Sequence, residues 1–214
     1  METKAFTVSL AKNPLISIKV IPGHFTTSNA HSNNYLDVNS LKWSALIARD
    51  VAREMAIPYK TTTLVDTIVC MEKTEVIGAY LAEELFQDGP AVINSENEIH
   101  VVTPTNNVNG NLVFQDSVIG WISNKKILLL VASISSGRTV TSALECLTYY
   151  GGILAGISAI YLTSREVLGH DINTLFTSDD IPGYKLFIPG ECELCKAGVK
   201  LDALVNSEGY TKIG

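Results

Sequence analysis

Lysine and arginine are missing from the whole stretch between Lys73 and Lys125, while Glu75, Glu83, Glu84, Asp88, Glu96, Glu98 and Asp116 fall inside it. Any polyanionic ligand must therefore be held by backbone amides, by hydroxyls or by the few basic residues elsewhere. The formal net charge of −6 argues against nucleic-acid partners, because non-specific binding depends on cations that neutralise phosphates. Long apolar runs are also lacking. The longest, around Ile127 to Ala132, falls far short of the ~20 residues a membrane span needs, so no membrane partner is expected. The N-terminus, Met1 to Ala5, lacks the charged-then-apolar layout of a signal peptide. Four cysteines at irregular spacing do not resemble a disulfide framework, and a reducing cytoplasmic setting is the expectation. No repeat, low-complexity tract or Pro/Gly/Ser-rich linker interrupts the 214 residues, 46% of them hydrophobic. That is enough for one well-buried core, so a single domain over 1–214 is expected, with a core at 41–179.

What is present is an alternation of short strands and helices. Leu15 to Ile21 reads as a strand ended by Pro22-Gly23. Ser40 to Ala56 has helical apolar spacing with Ser40 as a plausible cap. Leu64 to Cys70 is a buried strand, and Glu75 to Leu85 a helix expected to turn Val76, Ala79, Tyr80 and Ala82 inward. Extended segments follow at Ala91 to Ile93, His100 to Val102 and Leu112 to Phe114, with a polar loop at Thr105 to Gly110. Lys126 to Ala132 is apolar throughout, as a parallel strand buried on both faces should be. The helix Thr139 to Tyr150 and the strand Gly156 to Leu162 come next. The β-α-β-α-β order implies an α/β fold, Rossmann-like, with a mainly parallel sheet flanked by helices. Ligands of such sheets sit at the carboxyl ends of the strands, here the loops after Cys70 and Ala132.

The second of those loops is chemically distinctive. Ser135-Ser136-Gly137-Arg138-Thr139 carries hydroxyls and a glycine into a helix N-terminus. Such a turn offers N–H donors, side-chain donors and the positive end of the helix dipole to a phosphate, and Arg138 could add a bidentate clamp. An N-cap with ordinary turn residues is the plainer alternative, and the position after a central parallel strand weighs against it.

This stretch resembles the signature of type I phosphoribosyltransferases, in which an apolar strand leads through two acidic residues to a Thr-Thr-Gly-x-Thr turn. The resemblance implies that Ser135 to Thr139 bind a ribose 5′-phosphate. The acidic pair, which in that family holds the ribose hydroxyls of phosphoribosyl pyrophosphate and supports charge developing at C1′, falls here on Val131 and Ala132. Phe25 to Tyr35 resembles the Phe-x-x-x-Ser-Gly-x-x-Ser-x-x-Tyr motif of orotate phosphoribosyltransferases, with Asn29 where glycine is usual. The implication is a small N-terminal hood (1–40) that contacts a base through Ser28, Asn29, His31 and Tyr35.

Val69 to Glu75 sits where the pyrophosphate loop belongs but lacks its glycines, so a backbone bearing side chains there is expected to approach pyrophosphate less closely. Glu72, Lys73 and Thr74 are the candidate contacts. The basic catalytic loop, roughly Arg-Lys-x-x-Lys-x-His-Gly, is matched by Thr103 to Gly110 only in its last glycine. Loss of preorganised charge commonly costs ~10²–10³ in rate for each group. The expectation is therefore an orotate phosphoribosyltransferase-like protein that binds a nucleotide or ribose phosphate with weak or no transferase activity, as a homodimer by family habit. The alternative is a working transferase, with Mg²⁺ as its cofactor and Glu72, Lys73 and Glu75 replacing some of the missing charge. A third reading is a regulatory subunit paired with an active relative.

Cys192-Glu193-Leu194-Cys195 lies in a polar tail (180–214). A zinc site needs two further ligands, from Cys70, Cys146 or a histidine, and no second Cys-x-x-Cys exists. The segment also resembles the Cys-x-Leu-Cys-Lys-x-Gly tail of some orotate phosphoribosyltransferases, and two surface thiols are the simpler expectation. His100 and His170 have no partner pattern, and Trp43 and Trp121 read as packing residues.

Overall fold

The computed structural model describes residues 2–87, 93–95, 97–163, 169–206 and 208–213. Strands β1 (Phe6–Leu10), β2 (Asn13–Thr26) and β3 (His31–Asp37) lead into α1 (Asn39–Trp43) and α2 (Ala45–Ala56). Then come β4 (Thr67–Cys70), α3 (Glu75–Phe86) and β5 (His100–Val102), followed by β6 (Thr105–Asn106), β7 (Leu112–Val113) and α4 (Asp116–Ile119). The centre is completed by β8 (Lys126–Ile134), α5 (Arg138–Tyr149), β9 (Ile153–Leu162) and β10 (Ile172–Thr177). The tail holds β11 (Leu186–Phe187), α6 (Glu193–Lys196), β12 (Ala203–Asn206) and β13 (Gly209–Lys212). Among the described residues no helix is long and apolar enough to cross a membrane.

The expected parallel sheet is present, with strand order β10-β9-β8-β4-β5 and every pairing parallel. Side-chain alternation along β8 divides the protein into two cores. Leu128, Leu130 and Ala132 pack with α2, α3 and the strand β2, through residues such as Val51, Leu81 and Ile18. Ile127, Leu129 and Val131 point the other way, onto Val140, Ala143 and Leu147 of α5. Successive strand residues face opposite sides, so a strand covered on both faces must be apolar at every position. β10, on the edge beside β9, escaped the sequence reading because its run Ile-Asn-Thr-Leu-Phe-Thr is half polar and mostly half-buried.

Over these layers lies a second sheet, of order β11-β3-β2-β12-β13 with β1 added beside β2. The hood is thus made from both ends of the chain, with β12 running parallel to β2 through Ala203↔Phe25. Pro22-Gly23 does not end β2 but marks a register shift in its pairing with β3. Gly23 is needed there. A Cβ would lie 2.9 Å from Asp202 Oδ2 and from the Phe25 ring, where Asp202 accepts the His24 amide at 2.8 Å.

The single helix expected from Ser40 to Ala56 is two helices, broken at Ser44, whose φ of −87° and ψ of 111° are extended. Ser40 lies inside α1, and Val38 occupies the cap position. The break turns Leu41 and Lys42 inward while Trp43 stays 58% exposed, so Trp43 is not a packing residue. Helix α3 buries Ile77, Gly78, Leu81, Glu84 and Leu85, not the expected face. Apolar residues surround that helix, so their spacing does not fix its rotation. The polar segment Thr105–Gly110 opens the β6–β7 hairpin. Of the extended segment expected at Ala91 to Ile93, the first two residues lie outside the described ones and Ile93 is in a turn. Trp121 stacks on His100 with ring centroids 4.4 Å apart.

Gly78 allows α3 to lie close on β4, since a Cβ there would strike Cys70 Sγ and meet Val101 Cγ1 at 3.2 Å. Gly78→Ala should therefore destabilise the fold by ~1–3 kcal/mol, the usual cost of overpacking. The double variant Gly78→Ala/Cys70→Ala should recover part of that loss in chemical denaturation. Additive losses would show that Cys70 is not the obstacle.

Candidate functional site

Two adjoining cavities, of about 120 and 210 Å³, open where β4 and β8 end beneath the hood. They share Thr27, Glu72, Ser133, Ser135, Val205 and Asn206. The cleft is therefore continuous, with a floor from the parallel sheet and a roof from the β2–β3 turn and the β12–β13 hairpin.

The larger compartment is built on the turn between β8 and α5. Ser135, Ser136, Gly137, Arg138 and Thr139 all line it. Gly137 is the N-cap of α5 at φ 76°, a left-handed conformation that side-chain-bearing residues adopt only at a cost. As a glycine, this N-cap has no side chain with which to cap the twelve-residue helix. Its orphan N–H groups and positive dipole end therefore face a cavity with hydroxyls on its walls, the physical makings of an anion seat. Arg138 donates from Nη1 to Asn29 Oδ1 at 2.6 Å, which ties the seat to the hood turn. Ser28 and Asn29 line this compartment as well.

The loop after β4 is strained. Glu72 and Lys73 have φ of 55° and 63°, so two consecutive residues take the conformation glycine would adopt freely. Left-handed backbone costs ~1–3 kcal/mol per residue and persists only where surrounding contacts impose it. Here Thr74 Oγ1 donates to Met71 O at 2.8 Å and to Leu130 O at 3.3 Å, and Lys42 Nζ donates to Glu72 O at 3.0 Å. Bulky residues have thus not prevented a glycine-like loop. Of the three candidate contacts only Glu72 lines the cleft. Lys73 pairs with Glu208 at the β12–β13 turn, and Thr74 is fully buried.

Glu72 carries the unexpected feature. Its Oε2 accepts the Ser133 amide at 3.0 Å, and the Ala132 amide and the Thr139 side chain also favour its charged form. Burial raises its pKa above the ordinary 4.5 despite these donors and the nearby Lys42. Lys42 is 1% exposed and lines the smaller compartment. Burial lowers its pKa, against the pull of Glu72, while Lys73 pushes the same way and Glu75 and Asp37 oppose it. The sequence reading missed Lys42; its only signal was a lysine beside Leu41 on the helix side that had to face inward.

Tyr35 lines the smaller compartment, along with Tyr161 and Tyr184. Its hydroxyl is pushed up to about 12 by burial, with Asp37 and Tyr210 adding to the shift. His31, expected at the ligand, lines neither compartment. Its Nδ1 lies 3.3 Å from Cys195 Sγ and 3.2 Å from His24 Nε2. The C-terminal residues Val205, Asn206 and Gly209 were not foreseen at the cleft, because only the pairing of β12 with β2 brings them there.

No family model matches the chain, and no curated protein matches it. Solved structures do. UMP synthase from Leishmania donovani superposes with a TM-score of 0.55 at 20% identity, over 75% of this chain and 34% of that one. This chain thus spans about a third of that protein. An orotate phosphoribosyltransferase from Mycobacterium tuberculosis H37Rv, in complex with Fe(III) dicitrate, gives 0.53 at 11% identity over 76% and 91% of the two chains. A phosphoribosyltransferase from Corynebacterium diphtheriae gives 0.50 at 14% identity over 69% and 89%.

The fold is that of the type I phosphoribosyltransferases. Within this fold, Val131 and Ala132 are buried near the end of β8 with no side-chain oxygen to offer a ligand. Among the described residues lining the cleft, Glu72 supplies the single carboxylate.

Because Glu72 already occupies donors of the seat, an incoming anion meets a like charge. The variant Glu72→Gln should bind sulfate about tenfold more tightly at pH 7.5, a change of ~1.4 kcal/mol. Sulfate stays dianionic across the range, so the pH profile reports the protein. With the folded pKa of Glu72 raised, wild-type affinity should be highest below that value and fall as pH rises through it. Glu72→Gln should flatten the profile in titration calorimetry. The same sign applies to folding: ionising Glu72 costs stability as pH climbs past 4.5, so the Tm advantage of Glu72→Gln should grow from pH 4 to pH 8.

Proposed function

We propose that this protein binds the phosphate of a nucleotide or ribose phosphate at the α5 N-terminus and transfers phosphoribosyl groups weakly or not at all. The observation that carries the reading is the uncapped start of α5, opening into a cavity lined by Ser135 to Thr139. The smaller, more aromatic compartment beside it suits a base or ribose. Low turnover follows from the cleft's chemistry. The positions of the acidic pair hold Val131 and Ala132, and the β6–β7 hairpin carries no Lys or Arg. Each lost preorganised group is worth ~10²–10³ in rate, though not additively.

Mg²⁺ has no built ligand set here. Glu72, the single carboxylate among the described lining residues, is already bonded to the Ser133 amide, so no step is assigned to the metal. Glu72 also favours the second reading, an active transferase acting on a pyrimidine or other base. Its carboxylate stands beside the end of β8, where it could support a ribose from a neighbouring loop, with Lys42 close behind. A cytoplasmic homodimer in nucleotide metabolism is the setting proposed for either reading.

Thermal-shift and calorimetric titration with orotidine, uridine and purine monophosphates, and with phosphoribosyl pyrophosphate plus Mg²⁺, should find saturable binding of at least one mononucleotide. Thr139→Val and Arg138→Ala should each weaken it about 5- to 30-fold, or ~1–2 kcal/mol for a lost bond to a charged group. A transferase assay decides between the readings. Turnover within the ordinary ~1–10³ s⁻¹ of enzymes would establish the active one, and failure of every mononucleotide and of phosphoribosyl pyrophosphate to bind would end both.

A further inference from the structure

Away from the cleft, four potential metal ligands meet at the far side of the hood. His24 comes from β2, His31 from the start of β3, and Cys192 and Cys195 from the N-cap and body of α6. One ligand atom from each lies within 4.8 Å of all the others. His24 Nε2 is 3.2 Å from His31 Nδ1, 3.4 Å from Cys192 Sγ and 3.6 Å from Cys195 Sγ. Cys195 Sγ is 3.3 Å from His31 Nδ1. A tetrahedron with Zn–N of about 2.0–2.1 Å and Zn–S of about 2.3 Å has edges of about 3.3 to 3.8 Å. The side chains therefore already stand close to the spacing that a zinc ion at their centre requires.

Two further observations agree. His24 Nδ1 lies 2.9 Å from Val199 O. As a donor to that carbonyl it leaves Nε2 unprotonated and aimed at the cluster, the outer-shell arrangement of a metal-ligating histidine. Cys192 and His24 are 0% and 1% exposed, and both cysteines are unpaired. Two thiolates and two neutral imidazoles around a divalent ion form a neutral unit, which suits burial better than separate charges would.

We propose that His24, His31, Cys192 and Cys195 form a closed, four-coordinate Zn²⁺ site that staples the C-terminal tail to the hood. Soft sulfur with imidazole in tetrahedral array selects zinc over the oxygen-seeking Mg²⁺ and Ca²⁺. Four protein ligands leave no open position, so the role is structural. The two histidines bracket the β2–β3 turn, from which Thr27, Ser28 and Asn29 reach the cleft. The ion thus anchors that turn on both sides.

Chain purified under reducing conditions with zinc in the medium should carry about one zinc, released by a thiol-modifying reagent. Co²⁺ loaded in its place should give a thiolate-to-cobalt charge-transfer band and the intense visible bands of tetrahedral cobalt, both bleached by added Zn²⁺. Cys195→Ser replaces an exposed side chain and leaves the core intact. It should weaken zinc binding by more than the ~10–100-fold that loss of an outer-shell partner costs, and should diminish the charge-transfer band. Chelation should lower the Tm, and zinc should restore it. A folded wild-type chain without the charge-transfer band would overturn the proposal. So would equal zinc content in wild type, Cys195→Ser and His31→Ala, or a Cys192–Cys195 disulfide under the same conditions. None of these readouts involves a nucleotide, so the zinc site and the phosphate seat can fail separately.

Discussion

From Ile127 to Ala132 every side chain of β8 is buried, the odd positions against α5 and the even positions against α2, α3 and the hood. A strand enclosed on both faces has no polar side chain to offer until that enclosure ends. Ser133, exposed although still paired with Tyr161 of β9, is the first position to offer one, and the residues after Ile134 must both reverse the chain and begin α5. The left-handed Gly137 makes the reversal possible, and the unsatisfied amides of the helix start are the result. The position of the seat follows from the packing of the strand that delivers it.

Around the seat, charge has been redistributed. The carboxylates expected at Val131 and Ala132 are absent, and one carboxylate arrives from Glu72 on the neighbouring loop. It is held by a backbone that two left-handed residues strain and that a buried lysine pins. Stored strain of this kind persists where contacts over-determine a loop, and it is characteristic of ligand sites. The arrangement sets a cation, an anion and an uncapped helix start within one small cleft. On the proposed reading, the state of Glu72 governs what the seat will accept.

The central sheet was legible in the sequence because β8 and β9 are apolar at nearly every position, and no other element type fits short, two-sided apolar runs flanked by turns. The hydroxyl-rich turn into α5 was legible because hydroxyls and a glycine sat just after such a strand. The rotation of α3 was not, because its apolar residues occupy all sides. Lys42, Val205, Asn206 and Gly209 were hidden for a different reason: they reach the cleft through a helix break at Ser44 and through a pairing between strands about 180 residues apart, here Ala203 with Phe25. Local pattern carries no trace of either. His24 and His31 likewise meet Cys192 and Cys195 only once the tail has folded back.

The hood sheet interleaves strands from opposite ends of the polypeptide, with β2 bordered by β3 on one side and β12 on the other. On the edge of β2 away from β3, β1 covers Asn13 to Val20, so the parallel layers can assemble while only the Phe25–Thr26 end of that edge still lacks its partner. That end is a template for wrong partners until the last strands emerge. Pairing β12 with β2 closes a loop of about 180 residues, a long-range contact of the kind that forms slowly, and the roof of the cleft depends on it. Fusions or truncations beyond Val199 will thus be felt at the opposite terminus, in a segment they never touch in sequence.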